Sequence, residues 1–332
     1  MTGLPSSKLS ATKPKRVPIV CFNVNPAVER TCIVDRFAPG EVNRTTKTIV
    51  TASGKAATVA RTIVRLGLDA IQVGPVAGEV GQAFVRLVTA EGLKGDWRWV
   101  DGETRTNITV VAADGSPDTI LNEPGPTLTA ADWGALTESL RLHSQPGTPV
   151  CISGSMPAGV QAGQLTELVV SLRERDVPVF VDSHGWALEA LLQGQPWCAK
   201  VNHHEVAALL GRPIESAADA GIAARELLAT VEGVVIITMG AAGAVFATAA
   251  EVAQVTPPPV VAVSGVGSGD TFLGALVAAI HTGRDVTTAV LYAAAAGAVN
   301  ATSTRQGCVD PEAVEAAMLR GSVHRLDGTG GR

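Results

Sequence analysis

The chain has 332 residues, of which 46% are hydrophobic and 17% charged, and its net charge is −5. That balance excludes an intrinsically disordered protein and supplies apolar material for one large α/β domain or two ordinary ones. The mild acidity, with no basic stripe, argues against a nucleic-acid partner, and no apolar run approaches the roughly 18 residues that span a bilayer.

Residues 1–16, MTGLPSSKLSATKPKR, are polar and basic and lack the apolar middle of a secretory signal, so a disordered tail is expected. VPIVCFNVN (17–25) reads as a buried strand ending in a turn. TCIVDRF and TKTIVTAS are short, β-branched and separated by a Pro-Gly turn, as antiparallel strands would be. GKAATVARTIVRLG (54–67) has helical apolar spacing that stops at Gly67, followed by a strand, AIQVGPV, and a helix, EVGQAFVRLVTAEG. The β texture returns over 96–125, in DWRWVDG, TRTNITVVAADG and DTILNEPG.

From there strands and helices alternate. Helices are expected over 129–143, 161–175, 185–193, 203–210 and 216–231, with strands TPVCISGS, VPVFVDS, WCAKVN and GVVIITMG between them. A hairpin-like GAVFATAAEVAQV follows, and the last helices begin near 268, 285 and 310. This order implies a mostly parallel sheet covered on both faces. The two early β patches, about 28–52 and 96–123, interrupt it and read as one small antiparallel sheet forming a lid, with Glu29, Arg30, Arg44 and Arg105 at its edges. The domain is expected over 17–320 and a flexible tail over 321–332. The five cysteines (Cys21, Cys32, Cys151, Cys198, Cys308) form no CxxC pair or zinc-finger spacing, which fits a reducing cytoplasm.

AVSGVGSGDTFLGALVAAI (262–280) places three glycines and a serine around Asp270, directly before an apolar helix. It is neither a Walker A loop nor the dinucleotide fingerprint, since no Lys follows and aspartate stands where the last glycine is needed. Glycines let backbone approach a ligand closely, and first-turn N–H groups point outward at an anion. Asp270 is either a first-turn acid that stabilises the helix or a base that takes a proton from an attacking hydroxyl. Spacing leaves both open.

GVGSGDTFLGA resembles the C-terminal signature of the ribokinase-like (PfkB) family of carbohydrate kinases. NPAVERTCIVDRFAPGEVNR (25–44), GETRTNITVV (102–111), LNEPGPTLT (121–129) and ISGSMPAGV (152–160) resemble the 1-phosphofructokinase and tagatose-6-phosphate kinase branch. KVNHHE (200–205) resembles the family's K-P-N-x-x-E segment with Val201 for proline, and ITMGAAGAVF (237–246) its nucleotide strand and turn. The motifs run in order from about 18 to 315. The resemblance implies a three-layer ribokinase-like sandwich with a β-sheet lid, and ATP-dependent phosphoryl transfer to a sugar hydroxyl. Asp270 would be the general base, and Gly267, Ser268 and Gly269 the anion hole. Lys200, Asn202, Glu205, Thr238, Gly240 and Gly243 would serve the nucleotide side, Asn202 and Glu205 organising Mg²⁺ through water. A homodimer through the lid is also implied.

On the sugar side Glu29 replaces the family's aspartate, and Ser53-Gly54-Lys55-Ala56-Ala57-Thr58 replaces G-G-K-G-x-N. Gly54, Lys55, Thr58 and Arg105 match positions of the sugar site, with Lys55 and Arg105 expected as a cationic pair on the substrate's own phosphate and Arg44 assisting from the lid. A ketohexose phosphate is the expected acceptor. The changes at 29, 53, 56 and 58 leave open an atypical sugar or nucleoside, or a non-catalytic binding protein. His203 and His204, adjacent on a helix, point about 100° apart and are not read as a metal pair.

Overall fold

The computed structural model describes residues 17–326. The chain enters through β1 (Ile19–Phe22), leaves into β2 (Ala27–Val34) and β3 (Lys47–Ser53), and returns with α1 (Lys55–Arg65), β4 (Ala70–Val76), α2 (Gly78–Ala90) and β5 (Lys94–Trp99). It departs again for β6 (Arg105–Ala112) and β7 (Thr119–Asn122). Alternation then runs through α3 (Ala130–His143), β8 (Val150–Ser153), α4 (Ala162–Arg173), β9 (Val179–Asp182), α5 (Gly185–Gln193), β10 (Cys198–Asn202), α6 (His203–Leu210), α7 (Ala217–Leu227) and β11 (Val234–Thr238). A hairpin, β12 (Ala244–Ala247) and β13 (Val252–Thr256), precedes α8 (Ser268–His281), α9 (Val286–Ala301), α10 (Pro311–Met318) and β14 (Ser322–Arg325).

The large sheet has the order β14-β13-β12-β11-β10-β9-β8-β1-β4-β5, parallel from β11 to β5 and antiparallel beyond β11. Its central strands are buried on both faces, which is why IVCF, VCIS and VFVD are apolar without alternation. Alternate residues still face different layers. Val20 and Phe22 join the core with α3, α4, α5 and α7, whereas Ile19 and Cys21 join the one with α1, α8, α9 and α10. Helix starts follow local chemistry: Thr129 with Asp132 and Ser216 with Asp219 form reciprocal capping boxes at α3 and α7.

The smaller sheet, β3-β2-β6-β7, comes from the two early insertions and is antiparallel at both outer pairings, with β2 and β6 parallel at its centre. Two boundaries differ from expectation. DWRW belongs to β5, which pairs in parallel with β4 as the end of a β-α-β unit, so the lid's second contribution begins at Arg105 and not at 96. Aromatic, β-prone texture is the same on either sheet, and only the preceding helix decides which one receives it. Residues 322–325, expected within a flexible tail, form β14 and add an antiparallel edge to β13, and residues 327–332 lie outside the described residues. The expected N-terminal tail, 1–16, lies outside the described residues.

Every parallel strand points its carboxyl end at one rim, and the chain order reverses beside β1, between β4 and β8. A crevice at such a rim is where open α/β sheets bind ligands. Asn23 and Asn25 follow β1, Ser153 ends β8 with Ser155 two residues beyond it, and Asp182, Asn202 and Thr238 end β9, β10 and β11.

Candidate active site

At this rim α8 begins. Its N-cap, Gly267, has φ +75°, and a Cβ there would meet Gln306 Cβ at 2.9 Å, so glycine is required both by conformation and by space. Ser268 N–H bonds to Gly265 O at 3.2 Å and Thr271 N–H to Gly267 O at 2.8 Å. Between them the N–H groups of Gly269 and Asp270 have no acceptor among the described residues, which makes the turn an anion cradle. A Cβ at Gly269 would sit 3.2 Å from Lys200 Nζ, so a buried ammonium closes one wall of it.

Beside the cradle lies a compact charge cluster. Asp182 is fully buried at the end of β9, with Lys55 Nζ 2.9 Å from Oδ1 and Lys200 Nζ on Oδ2. Burial pushes the Asp182 carboxyl up, but the two ammonium groups outweigh it and hold the group below the usual carboxylate range. Lys55 Nζ also lies 3.8 Å from Glu205 Oε1. Burial works against the Lys55 charge, yet the carboxylates of Asp182, Asp270 and Glu205 hold its pKa above the ordinary lysine value. Asp270 shifts the other way. Withdrawal from water, opposed by Lys55 and Lys200 and reinforced by Asp182 and Glu205, pushes it up to about 6. A carboxylate poised there holds a proton far more firmly than an exposed one and is still ionised at neutral pH.

On the lid side, Glu29 is buried on β2, and its Oε1 accepts a 2.5 Å bond from Thr109 Oγ1 of β6. Arg105 donates to Asn25 O through Nη2 at 2.8 Å and Nε at 3.2 Å, and to Glu123 O at 3.4 Å. Burial pushes its guanidinium below the usual value, against the opposing pull of Glu29. Lys55 and Arg105 share no partner among the described residues: Lys55 bonds to Asp182, and Arg105 to the carbonyls of Asn25 and Glu123. Gly54 has φ +103° and a Cβ there would meet Asn23 Oδ1 at 3.0 Å, so it shapes the start of α1. Thr58 is fully buried in α1, where its methyl would contact a Cβ at Gly307 at 3.2 Å. Arg44 is exposed on the loop between β2 and β3.

Among the residues expected to serve a nucleotide, Thr238 Oγ1 bonds to Val201 O at 3.3 Å, and Gly240 (φ +58°) opens a turn where an added Cβ would meet nothing within 4 Å. Asn202 and Glu205 form a capping box on α6: Asn202 Oδ1 accepts from Glu205 N and Glu205 Oε2 from Asn202 N, both at 2.9 Å. Glu205 Oε1 remains turned to Lys55. The same pair lines a cavity of about 350 Å³ with His184, Glu189 and His204. Gly243 has a structural reason instead: φ is +89° and a Cβ would lie 2.0 Å from Val255 O of β13. Gly243→Ala is expected to destabilise the protein by roughly 2–4 kcal/mol through strain and overpacking, read as a fall in the urea midpoint; an unchanged midpoint would place Gly243 back among ligand-facing residues.

The model of the pfkB family carbohydrate kinases matches residues 23–312. The chain belongs to the PfkB family. It is an ATP-dependent carbohydrate kinase. It is 34% identical to the 1-phosphofructokinase of Rhodobacter capsulatus over 269 residues, 81% of this chain and 85% of that one. It is 31% identical to the 1-phosphofructokinase of Escherichia coli K12 over 304 residues, 91% of this chain and 96% of that one. Among solved structures it resembles phosphofructokinase-2 from Escherichia coli in complex with potassium, with TM-score 0.86, 26% identity, and coverage of 92% and 99%. The fold and lid expected from the sequence are those of a PfkB kinase. No helix among the described residues is long and apolar enough to cross a membrane.

Two residues of this PfkB chain escaped sequence reasoning. Asp182 sits in the plain strand end VFVD, where nothing marks it off from a solvated turn acid. Asn300, near the end of α9, is buried and bonds to the cradle itself: Nδ2 donates to Val266 O and Ser268 Oγ, both at 3.1 Å. A polar residue inside the otherwise apolar YAAAAGAV helix pattern was the available signal.

Proposed function

We propose that the chain transfers a phosphoryl group from ATP to a hydroxyl of a ketohexose phosphate of the fructose-1-phosphate, fructose-6-phosphate or tagatose-6-phosphate class. The observation that carries this reading is Asp270, its carboxyl raised to about 6, in the same turn as the unpaired N–H groups of the cradle. The acceptor class rests on the relatives named as 1-phosphofructokinases and on Arg105, a buried-stem cation at the lid root.

Asp270 takes the proton from the sugar hydroxyl as its oxygen attacks the terminal phosphorus of ATP, and ADP leaves. The Gly269 and Asp270 N–H groups, Lys55 and Lys200 meet the charge on the phosphoryl oxygens, so that attack occurs against a neutralised group. Two buried acceptors near the lid root, Asn25 Oδ1 and Asn107 Oδ1, lack donors among the described residues and suit sugar hydroxyls. The hard oxygen of Glu205 Oε1 fits Mg²⁺, whereas Asn202 spends its oxygen on the Glu205 N–H and contributes through water at most. Held by these residues, Mg²⁺ would neutralise charge on the nucleotide phosphates. The exposed Val42, Val50, Ile120 and Leu121 of the lid support a homodimer formed through that sheet.

An ATP-consumption assay across free and phosphorylated sugars tests the reading. The phosphorylated ketohexoses should be turned over with the highest kcat/KM. Arg105→Ala should raise KM for phosphorylated acceptors by about 10–100-fold and leave free sugars nearly unaffected; an equal effect on both would remove the phosphate-clamp role. A second reading keeps the chemistry and changes the acceptor. It is favoured by the Thr109 bond, which ties up one oxygen of the longer Glu29 side chain. Best turnover on an unphosphorylated sugar or nucleoside would select it.

A further inference from the structure

Asn300 makes three hydrogen bonds, and the two to backbone settle its orientation. Gly307 N–H donates to its oxygen at 2.8 Å, and its Nδ2 faces Val266 O at 3.1 Å. A backbone N–H needs an acceptor and a carbonyl needs a donor, so the amide cannot be turned over. Its third contact, at 3.1 Å to Ser268 Oγ, is then forced to run from Nδ2 to the serine oxygen. Ser268 accepts, and its own O–H has no acceptor among the described residues. The proton is thereby left free for a ligand acceptor, on the same turn as the unpaired Gly269 and Asp270 N–H groups.

The same amide fixes the turn. Val266 O and Ser268 Oγ flank Gly267, the residue held at φ +75°, and Gly307 belongs to the segment whose Gln306 lies against Gly267. One side chain of α9 therefore clamps both sides of the left-handed glycine that aims the cradle. Asn300 is buried and none of its three hydrogen bonds goes to Asp270, so it acts through Ser268 and the backbone.

We infer that Asn300 is a positioning residue for phosphoryl transfer, which sets the Val266–Ser268 turn and leaves the Ser268 hydroxyl proton free as an additional donor to the transferring group. The inference rests on the proposed role of the 267–270 turn as the anion hole.

Asn300→Asp tests it with the least change of shape. The aspartate still accepts from Gly307 N–H, but it cannot donate to Val266 O, and it offers Ser268 an acceptor that turns its proton inward. Compared with wild type, Asn300→Asp and Ser268→Ala should each lower kcat by about 10²-fold, as expected for one lost or misaimed donor, with KM for the sugar within about twofold. The double variant should be no more than about threefold worse than the worse single one, because both remove the same donor. A cooperatively folded Asn300→Asp enzyme with wild-type kcat, or losses that multiply in the double variant, would overturn the inference. Should Asn300→Asp be recovered unfolded, Ser268→Ala decides alone: wild-type kcat overturns it. Asp270→Asn, run in parallel, separates the two levels, since full turnover there removes the general-base role on which the proposed reaction at this turn rests, while its loss beside an unaffected Asn300→Asp removes only the present inference.

Discussion

Asp270→Asn is expected to lower kcat by about 10²–10⁴-fold while leaving KM for the sugar within a few-fold, since the amide keeps the shape and loses only the ability to accept the proton. Single-turnover measurement of ADP release checks this; a variant within tenfold of wild type would show that another group takes the proton. The wild-type enzyme should show an acid limb in kcat/KM near pH 6, because the free carboxyl is pushed up to about 6 and is active only when ionised. The same shift carries a stability consequence with a definite sign. Folding raises this pKa above its ordinary value of 3.8, so the ionised form is disfavoured in the folded state. The penalty is absent below pH 4, grows between 4 and 6, and is complete above 6. Two units correspond to about 3 kcal/mol, and contact with cleft water reduces this to about 1–2 kcal/mol. Asp270→Asn should therefore melt higher than wild type at pH 8 and not at pH 4, so that the inactive protein is the more stable one.

The glycines on one side of Asp270 and the apolar helix on the other marked it as a candidate in the sequence, while spacing left cap and base both open. The alternation of strands and helices was legible for a related reason: buried parallel strands and amphipathic helices impose different periods on local sequence. What resisted reading was pairing between distant segments. Lys55 lies near the sugar motifs in the chain, yet its ammonium follows Asp182, 127 positions away, because electrostatics acts through space and not along sequence. Thr58 stands where the family places asparagine and is buried within α1. DWRW carries strand propensity but no label for the sheet that will take it. Asn300 has no motif at all, and its importance appears only when Val266, Ser268 and Gly307 arrive around it.

Asp182→Asn should be the most disruptive conservative change in the site. The residue is fully buried and holds both Lys55 and Lys200, and Lys200 is itself almost inaccessible to water. Removing the carboxylate leaves a buried ammonium uncompensated, a loss of about 3–5 kcal/mol. The sign with pH is opposite to that of Asp270. The folded pKa of Asp182 lies below its ordinary value of 3.8, so its contribution is present above that value and disappears as pH falls through the lower folded one. Asp182→Asn should thus melt lower than wild type across pH 5–8, with the gap closing in strong acid. A second substitution separates stability from chemistry. Lys200→Met in the Asp182→Asn background removes the orphaned charge and should recover most of the lost stability, because a buried ion pair replaced by neutral groups of similar size is often near neutral. Activity should stay low, since Lys55 would lose its 2.9 Å anchor and the cradle one of its cations. Recovery of both stability and kcat would reduce the Asp182–Lys200 pair to a packing element. Recovery of stability alone would show that the buried pair is retained for the phosphoryl group it faces, at a position where neutral side chains fold equally well.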